Sequence, residues 1–225
     1  MLLDENELFI FDWDGTLATS GALIRVSKML KARYKLEYIL KHKERYKVRS
    51  VNDLVIKEEK GKLVSTIYAL YAKLYHVRLK PGSEELLKLL KKNKKKVCIF
   101  SDSNTTRLMA EVRSTNMVKY VDFILSSDAI DRYKPDPSGI LLIVDKYRMK
   151  KDKVVYVGDM ASDVYASRFA GVKACAVADG LDPLQLIKDA KPDYLFSSTT
   201  DMLNALRRKR AKKPSRRRER YVYKS

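Results

Sequence analysis

The stretch that most constrains the fold is an apolar run that stops at two aspartates and a glycine. Residues 9–11 are Phe-Ile-Phe, and Asp12, Asp14 and Gly15 follow them. The run is typical of a buried strand, and residues two apart on a strand point the same way, so the two carboxylates are expected to lie together. Carboxylates so close favour a bound cation, and the glycine allows a sharp turn. Taken alone, the motif also fits a solvated Asp-Gly turn.

Three further segments place polar groups at the ends of apolar runs. Residues 97–100 lead into Ser101, whose hydroxyl could donate to a phosphoryl oxygen, although an ordinary helix cap is the simpler interpretation of that polar stretch. Lys134 lies in a loop that two prolines stiffen, whereas a lysine in so basic a chain is ordinarily a surface residue. Asp159 and Asp163 follow another apolar run, and their spacing predicts that both lie on one face of a helix. Aspartates are also common at helix N-termini without any chemical role.

In this order, the four segments resemble the signature elements of the haloacid dehalogenase superfamily of phosphotransferases. Those elements are DxDGT, a strand-end serine or threonine, a lysine and GDxxxD. Here they correspond to residues 12–16, Ser101, Lys134 and residues 158–163. The Lys-Pro-Asp-Pro form at 134–137 further resembles the phosphoglycolate phosphatase-like branch. The resemblance extends over about residues 7–200.

The resemblance implies a role for each of these residues. Asp12 would be the nucleophile that forms an aspartyl-phosphate, and Asp14 the general acid and base. Ser101 would bind phosphoryl oxygens, and Lys134 would cancel charge. Mg²⁺ would be held by Asp12, Asp159, the main-chain carbonyl of Asp14 and, directly or by orienting the others, Asp163. Loop N–H groups near Trp13 and Asp102 would contact the substrate phosphate.

Alternation of strands and helices predicts an α/β fold, a doubly wound, parallel, Rossmann-like sheet. In such a sheet, ligands bind beyond the carboxyl ends of the strands, where all four segments are expected. The predicted strands span residues 7–11, 97–100, 123–125, 154–157, 174–177 and 194–196.

Residues 19–80 predict a small helical domain inserted after the first strand. The segment has only two glycines and no proline up to Pro81, and two apolar stripes with helical spacing. By its position it resembles the helical cap of the superfamily. Residues 1–18 and 81–206 are therefore predicted to form the core. The cap is basic over residues 25–49, with ten basic and two acidic side chains, which would attract an anionic substrate.

The net charge of +19 is concentrated at the C-terminus. Residues 207–225 carry eleven basic side chains and one acidic, have little to bury, and are predicted to be a disordered tail. Two interpretations stay open, a non-specific nucleic-acid-binding arm and a solvated tail. No apolar run approaches about 20 residues, so the sequence predicts no membrane span. Its N-terminus is predicted to begin the first strand instead of a cleavable signal, and a cytoplasmic protein is therefore expected.

Three functions fit these patterns. The first is a Mg²⁺-dependent phosphatase acting on a small phosphorylated metabolite, with 2-phosphoglycolate as the best single substrate. The second is a phosphosugar mutase on the same scaffold. The third is a nucleic-acid-associated protein that uses the basic tail and cap. Because every catalytic group of the motifs is present, the sequence favours an enzyme.

Overall fold

A sheet of six parallel strands forms the centre of the protein. The computed structural model describes residues 2–19, 77–130 and 132–208. Within them the strand order is β3-β2-β1-β4-β5-β6 and all five pairings are parallel. The strands are β1 (Leu8–Phe11), β2 (Lys96–Ser101), β3 (Phe123–Ser126), β4 (Val154–Gly158), β5 (Lys173–Val177) and β6 (Tyr194–Phe196). The doubly wound sheet and its six predicted strands are confirmed.

Helices precede, connect and follow the strands and cover both faces of the sheet. They are α1 (Leu2–Glu5), α2 (Ser83–Lys92), α3 (Thr105–Ser114), α4 (Ser138–Lys146), α5 (Ala161–Ala170), α6 (Leu184–Asp189) and α7 (Thr199–Arg208). Three short 3₁₀ helices span Val118–Tyr120, Ser127–Ala129 and Lys151–Lys153. Among the helices of the described residues, none combines the length and apolar character that a bilayer crossing requires.

The side-chain alternation of the strands builds one core on each face of the sheet. Phe9 and Phe11 of β1 pack with apolar residues of α2, α3 and α7 on one face. Leu8 and Ile10 pack with α4 and α5 on the other. All four side chains are fully buried. The apolar run of β1 is uninterrupted because both of its faces are covered, as is usual in parallel sheets.

The strand order places a crevice between β1 and β4. The chain winds outward from β1 through β2 to β3, then returns to the other side of β1 and winds outward again through β4, β5 and β6. The loops after β1 and β4 therefore leave the sheet in opposite directions, which creates the position at which doubly wound sheets bind ligands. We call the edge where strands end the carboxyl edge, and the edge where they begin the amino edge.

The segment from residue 20 to 76 leaves and re-enters the core beside the carboxyl edge. Ala18 forms an antiparallel bridge with Leu79, and the Thr19 N–H donates to the Arg78 carbonyl over 2.8 Å. The described residues that flank this segment, 18–19 and 78–79, therefore run side by side next to the turn after β1. The predicted helical cap at 19–80 lies almost wholly outside the described residues, as do residues 209–225 of the predicted tail. The first two tail residues, 207 and 208, belong to α7.

Candidate active site at the carboxyl edge

The turn after β1 brings the first aspartate into contact with the neighbouring strand. The Asp12 N–H donates to the Val157 carbonyl of β4 over 2.8 Å, which extends the β1–β4 pairing to the crevice. Gly15 then takes a left-handed conformation, with φ of 85°. A Cβ there would lie 2.2 Å from Asp159 Oδ2, so only glycine leaves room for the acidic residue that follows β4.

Lys134 is the centre of a buried charge cluster. Its Nζ lies 3.0 Å from Asp12 Oδ1 and 2.7 Å from Asp163 Oδ1, and it donates to the Tyr156 hydroxyl over 2.8 Å. The Lys134 side chain is only 3% exposed. Burial disfavours its charged form, but the two carboxylates outweigh burial and raise the pKa of Lys134 well above its ordinary value. The ammonium is therefore a permanent positive charge next to Asp12.

Three buried carboxylates lie close enough to hold one metal ion. Oxygens of Asp12, Asp159 and Asp163 are all within 4.8 Å of one another. Asp159 is fixed by the Thr16 hydroxyl, which donates to Oδ1 over 3.0 Å, and by the Leu181 N–H, which donates to Oδ2 over 2.7 Å. An all-oxygen set of this kind suits a hard divalent cation such as Mg²⁺.

The helix-face prediction for the acidic pair is wrong in one respect. Helix α5 begins at Ala161, so Asp159 precedes the helix and only Asp163 belongs to it. Their proximity comes from capping, because Asp163 Oδ2 accepts from the Asp159 and Met160 N–H groups over 3.1 and 3.0 Å. Gly158 permits this turn, since a Cβ there would lie 2.3 Å from Asp163 Oδ2. Asp163 Oδ1 is left to contact Lys134.

Asp14 is held by a polar network that comes from α3. Ser103 Oγ donates to Asp14 Oδ2 over 2.8 Å, and the Arg107 guanidinium pairs with Asp14 Oδ1. Arg107 also donates to Ser103 Oγ over 3.0 Å and pairs with Glu111 over 2.8 Å. Burial disfavours the charged guanidinium, but Asp14 and then Glu111 reverse the effect and raise the pKa of Arg107. The Asp14 carboxylate is thereby fixed in orientation.

The remaining predicted site residues lie at the same edge. Ser101 is the last residue of β2 and is fully buried, and its Oγ donates to Ser103 Oγ over 3.2 Å. Asp102 Oδ1 accepts from the Lys134 N–H over 3.1 Å and so positions the loop that carries the lysine. The Trp13 side chain is buried in the core and its Nε1 donates to Glu111 Oε2 over 2.7 Å. The predicted contacts of the Trp13 and Asp102 segments with substrate stay predictions.

Three functional residues were missed at the level of sequence. Tyr156 is an ordinary-looking member of an apolar strand, yet its hydroxyl donates to the Phe100 carbonyl over 2.9 Å and accepts from Lys134. Arg107 could have been found, since Arg107 and Glu111 lie four residues apart on α3 and Ser103 lies four residues before Arg107, just ahead of the helix. Lys80 Nζ donates to the carbonyls of Gly15 and Asp179, over 2.8 and 3.1 Å, and ties the loops after β1 and β5 together.

Comparison with known proteins agrees with this geometry. The model of the haloacid dehalogenase-like hydrolase family matches residues 9–177. A phosphoglycolate phosphatase of Salmonella typhi is 27% identical over 95 residues, which cover 42% of this chain and 38% of that protein. Pyrophosphatase PpaX of Halalkalibacterium halodurans is 24% identical over 209 residues, which cover 89% and 96% of the two chains.

A solved structure shares the fold over nearly the whole chain. The crystal structure of a predicted phosphoglycolate phosphatase from Haemophilus somnus superposes with a TM-score of 0.70 at 19% identity. The superposition covers 90% of this chain and 98% of that one. The six-stranded α/β architecture with its flanking helices is therefore that of a known enzyme fold.

Proposed function

The chain belongs to the haloacid dehalogenase-like hydrolase family, and from its site we propose a Mg²⁺-dependent phosphatase that hydrolyses a small phosphorylated metabolite through an aspartyl-phosphate. The observation that carries the proposal is the buried cluster in which Lys134 contacts Asp12 over 3.0 Å while Asp159 and Asp163 converge on the same carboxylate. Burying so many charges is costly, so a cluster of this kind points to a functional site.

The proposed reaction proceeds in two displacements at phosphorus. An Asp12 carboxylate oxygen attacks, the bond to the leaving oxygen breaks, and Asp14 gives that oxygen a proton. Asp14 then removes a proton from a water, whose oxygen attacks the same phosphorus and releases the Asp12 carboxylate and inorganic phosphate. The hold of Ser103 and Arg107 on Asp14 keeps its carboxylate aimed in both steps.

Repulsion between an anionic nucleophile and a phosphate dianion must be cancelled before the attack. When bound, Mg²⁺ would be held by Asp12, Asp159 and Asp163 and would supply charge neutralisation at the transferring phosphoryl group. Lys134 supplies a further fixed positive charge from within the protein. In this proposal Ser101 and the loop N–H groups after β2 stabilise the phosphoryl oxygens.

We propose 2-phosphoglycolate as the first substrate to test. The Lys134-Pro135-Asp136-Pro137 sequence and the name of the Salmonella relative support it. Inorganic pyrophosphate is the second substrate to test, because one relative that matches almost its full length is a pyrophosphatase. Both candidate substrates carry a second anionic group close to the leaving oxygen.

The experiment is a screen of phosphorylated metabolites with release of inorganic phosphate as the readout. We expect hydrolysis that EDTA abolishes and that Mg²⁺ restores, with Ca²⁺ a poor substitute because its coordination is larger and looser. Full activity after exhaustive chelation would contradict the oxygen-ligand site. Glucose 1-phosphate with a bisphosphate activator is the control for mutase activity. If this substrate is isomerised and no phosphate is released, the mutase assignment would replace the phosphatase assignment.

Asp14→Asn tests the assignment of the proton transfers. The amide keeps the shape and can still accept from Arg107, but it transfers no proton, so we expect kcat to fall by about 10² to 10⁴-fold. Binding of orthovanadate or inorganic phosphate, measured by calorimetry, should persist. An unchanged rate and pH profile would remove Asp14 from this role.

A further inference from the structure

Charge is strongly segregated within the described part of the protein. Two short segments, residues 88–96 and 146–153, together hold eleven basic side chains and one acidic, a net charge of +10. The other described residues hold thirteen basic and twenty acidic side chains, a net charge of −7. The positive charge of these segments is therefore a local feature and does not simply follow from the basic composition of the chain.

The fold brings the two segments together at the amino edge of the sheet. The Lys96 N–H donates to the Glu7 carbonyl over 2.9 Å, and the Glu7 N–H donates to the Lys153 carbonyl over 2.8 Å. Residues that enter β2, β1 and β4 are thus adjacent, although the two segments lie about fifty positions apart in sequence. Lys96 Nζ also lies 5.7 Å from the centre of the Tyr147 ring, which joins the segments through their side chains.

Aromatic rings are interleaved with the lysines along this edge. Lys146 Nζ lies 4.7 Å from the centre of the Phe123 ring at the start of β3. Lys119 and Lys88 lie 5.0 and 5.9 Å from the centre of the Tyr120 ring. Each ring is half-buried, and its face attracts the ammonium group of at least one lysine.

The acidic groups near this edge do not cancel its charge. Asp122 is enclosed by Lys91 and Lys96, at 2.7 and 3.5 Å, so its charge is already matched. Glu7, Asp145 and Asp152 are exposed but are outnumbered by their basic neighbours, whereas Glu84 pairs with Lys88 over 3.0 Å and lies 3.7 Å from Lys119. The half of the same edge under β5 and β6 differs. There Lys173 pairs with Glu5 over 3.4 Å, and acidic residues 189 and 193 accompany two lysines.

We propose that the amino edge beneath β3, β2, β1 and β4 is a docking surface for the phosphate backbone of a nucleic acid. Four strands span about 14 Å, which corresponds to about four phosphates of one B-form strand. Lysines supply the sequence-independent attraction, and the half-buried aromatic rings hold several of their ammonium groups in place. The surface lies about 20 Å from the carboxyl edge, the length of β2, so a bound nucleic acid leaves the active site accessible.

The test uses two triple variants of the full chain with the same change in charge. The first replaces Lys92, Lys94 and Lys150 of the basic edge by glutamine, and the control replaces Lys173, Lys188 and Lys191 in the mixed half. Each set includes one lysine with left-handed backbone, Lys94 or Lys191, so strain is matched. Binding to a fluorescent 20-nucleotide RNA and to duplex DNA is measured by anisotropy from 50 to 300 mM salt.

We expect the first variant to bind at least tenfold more weakly at 50 mM salt. The slope of log K against log salt should fall by about 2 for single strands, whereas the control should lose less than half as much. Hydrolysis of a small phosphate ester should be unchanged in both, which separates this proposal from the phosphatase assignment.

Three outcomes overturn the proposal. The first is equal weakening by the two triple variants, which would mean that affinity follows net charge alone. The second is wild-type affinity in the basic-edge variant, which would assign binding to the other basic segments of the chain. The third is that the protein binds anionic phosphatidylserine vesicles but neither RNA nor DNA, and that the basic-edge substitutions abolish this vesicle binding.

Discussion

The two edges of the sheet use lysine in opposite ways. At the carboxyl edge, Lys134 is buried and its ammonium contacts two carboxylates and a tyrosine hydroxyl. At the amino edge, Lys96 is about half exposed, lies 3.5 Å from Asp122, and rests near the Tyr147 ring. The Lys134 charge is fixed at one point by its partners, whereas the Lys96 charge is solvated and contributes to the positive potential of the whole amino edge. Burial and compensation, more than residue type, determine which of the two roles a lysine can perform.

The largest expected effect separates a buried aspartate at one edge from an exposed one at the other. Asp12→Asn should lower kcat by at least about 10³-fold, because the amide is neither a nucleophile nor a good metal ligand. Asp152→Asn, the matched change within the basic edge, should leave hydrolysis unchanged. Phosphate release measures both, and circular dichroism confirms folding. Near-wild-type turnover of the Asp12 variant would contradict the aspartyl-phosphate mechanism.

The second comparison tests the lysines directly through stability. Lys134→Gln leaves the buried carboxylates of Asp12 and Asp163 without their cation, and should lower the free energy of unfolding by about 3–5 kcal/mol. Lys96→Gln removes a half-exposed charge and should cost about 1 kcal/mol or less. Urea denaturation in EDTA measures both, so that no metal replaces the missing charge. Equal losses would mean that the Lys134 cluster is as well solvated as the amino edge.

The sequence predicts much of the carboxyl edge but not the amino edge. Strands and site loops at the carboxyl edge follow from apolar runs that end in Asp, Ser or Gly-Asp, because each run is continuous and its polar end is local. The Tyr156 hydroxyl could not be predicted, since a tyrosine in the run 154–157 fits simple packing equally well. What decides its role is the position of Lys134, a residue from another loop. The basic edge was missed for the same reason, because its two segments meet only through the order of the strands.

Tyr156→Phe should have an intermediate effect, restricted to the carboxyl edge. The change removes the acceptor of Lys134 and the donor to the Phe100 carbonyl, at a cost of about 1–3 kcal/mol in unfolding free energy. If the hydroxyl positions the ammonium, kcat should fall by about tenfold while nucleic-acid binding is unchanged. Tyr194→Phe, which removes a hydroxyl that donates to Glu5 over 3.3 Å near the surface, is the control. A stability loss with wild-type kcat would limit Tyr156 to a structural role.

The smallest expected effect concerns pH. Asp182 is buried beside the start of α5, where its Oδ2 accepts from the Ala161 N–H over 2.7 Å. Burial, with a further contribution from Asp163, raises the pKa of Asp182 to about 6 despite that hydrogen bond. An acid whose pKa is higher in the folded state stabilises the fold most below its unfolded pKa, and this contribution is lost as the pH rises through about 6. The asparagine of Asp182→Asn does not titrate, so the free energy of unfolding of this variant relative to wild type should rise by about 1–3 kcal/mol between pH 4 and pH 8.

Urea denaturation in EDTA across this range measures the difference, and any constant offset from the weaker amide acceptor cancels. Lys96→Gln is the control, and its difference from wild type should stay constant from pH 4 to pH 8. A constant difference for Asp182→Asn as well would mean that this carboxylate is ionised and solvated in the folded protein.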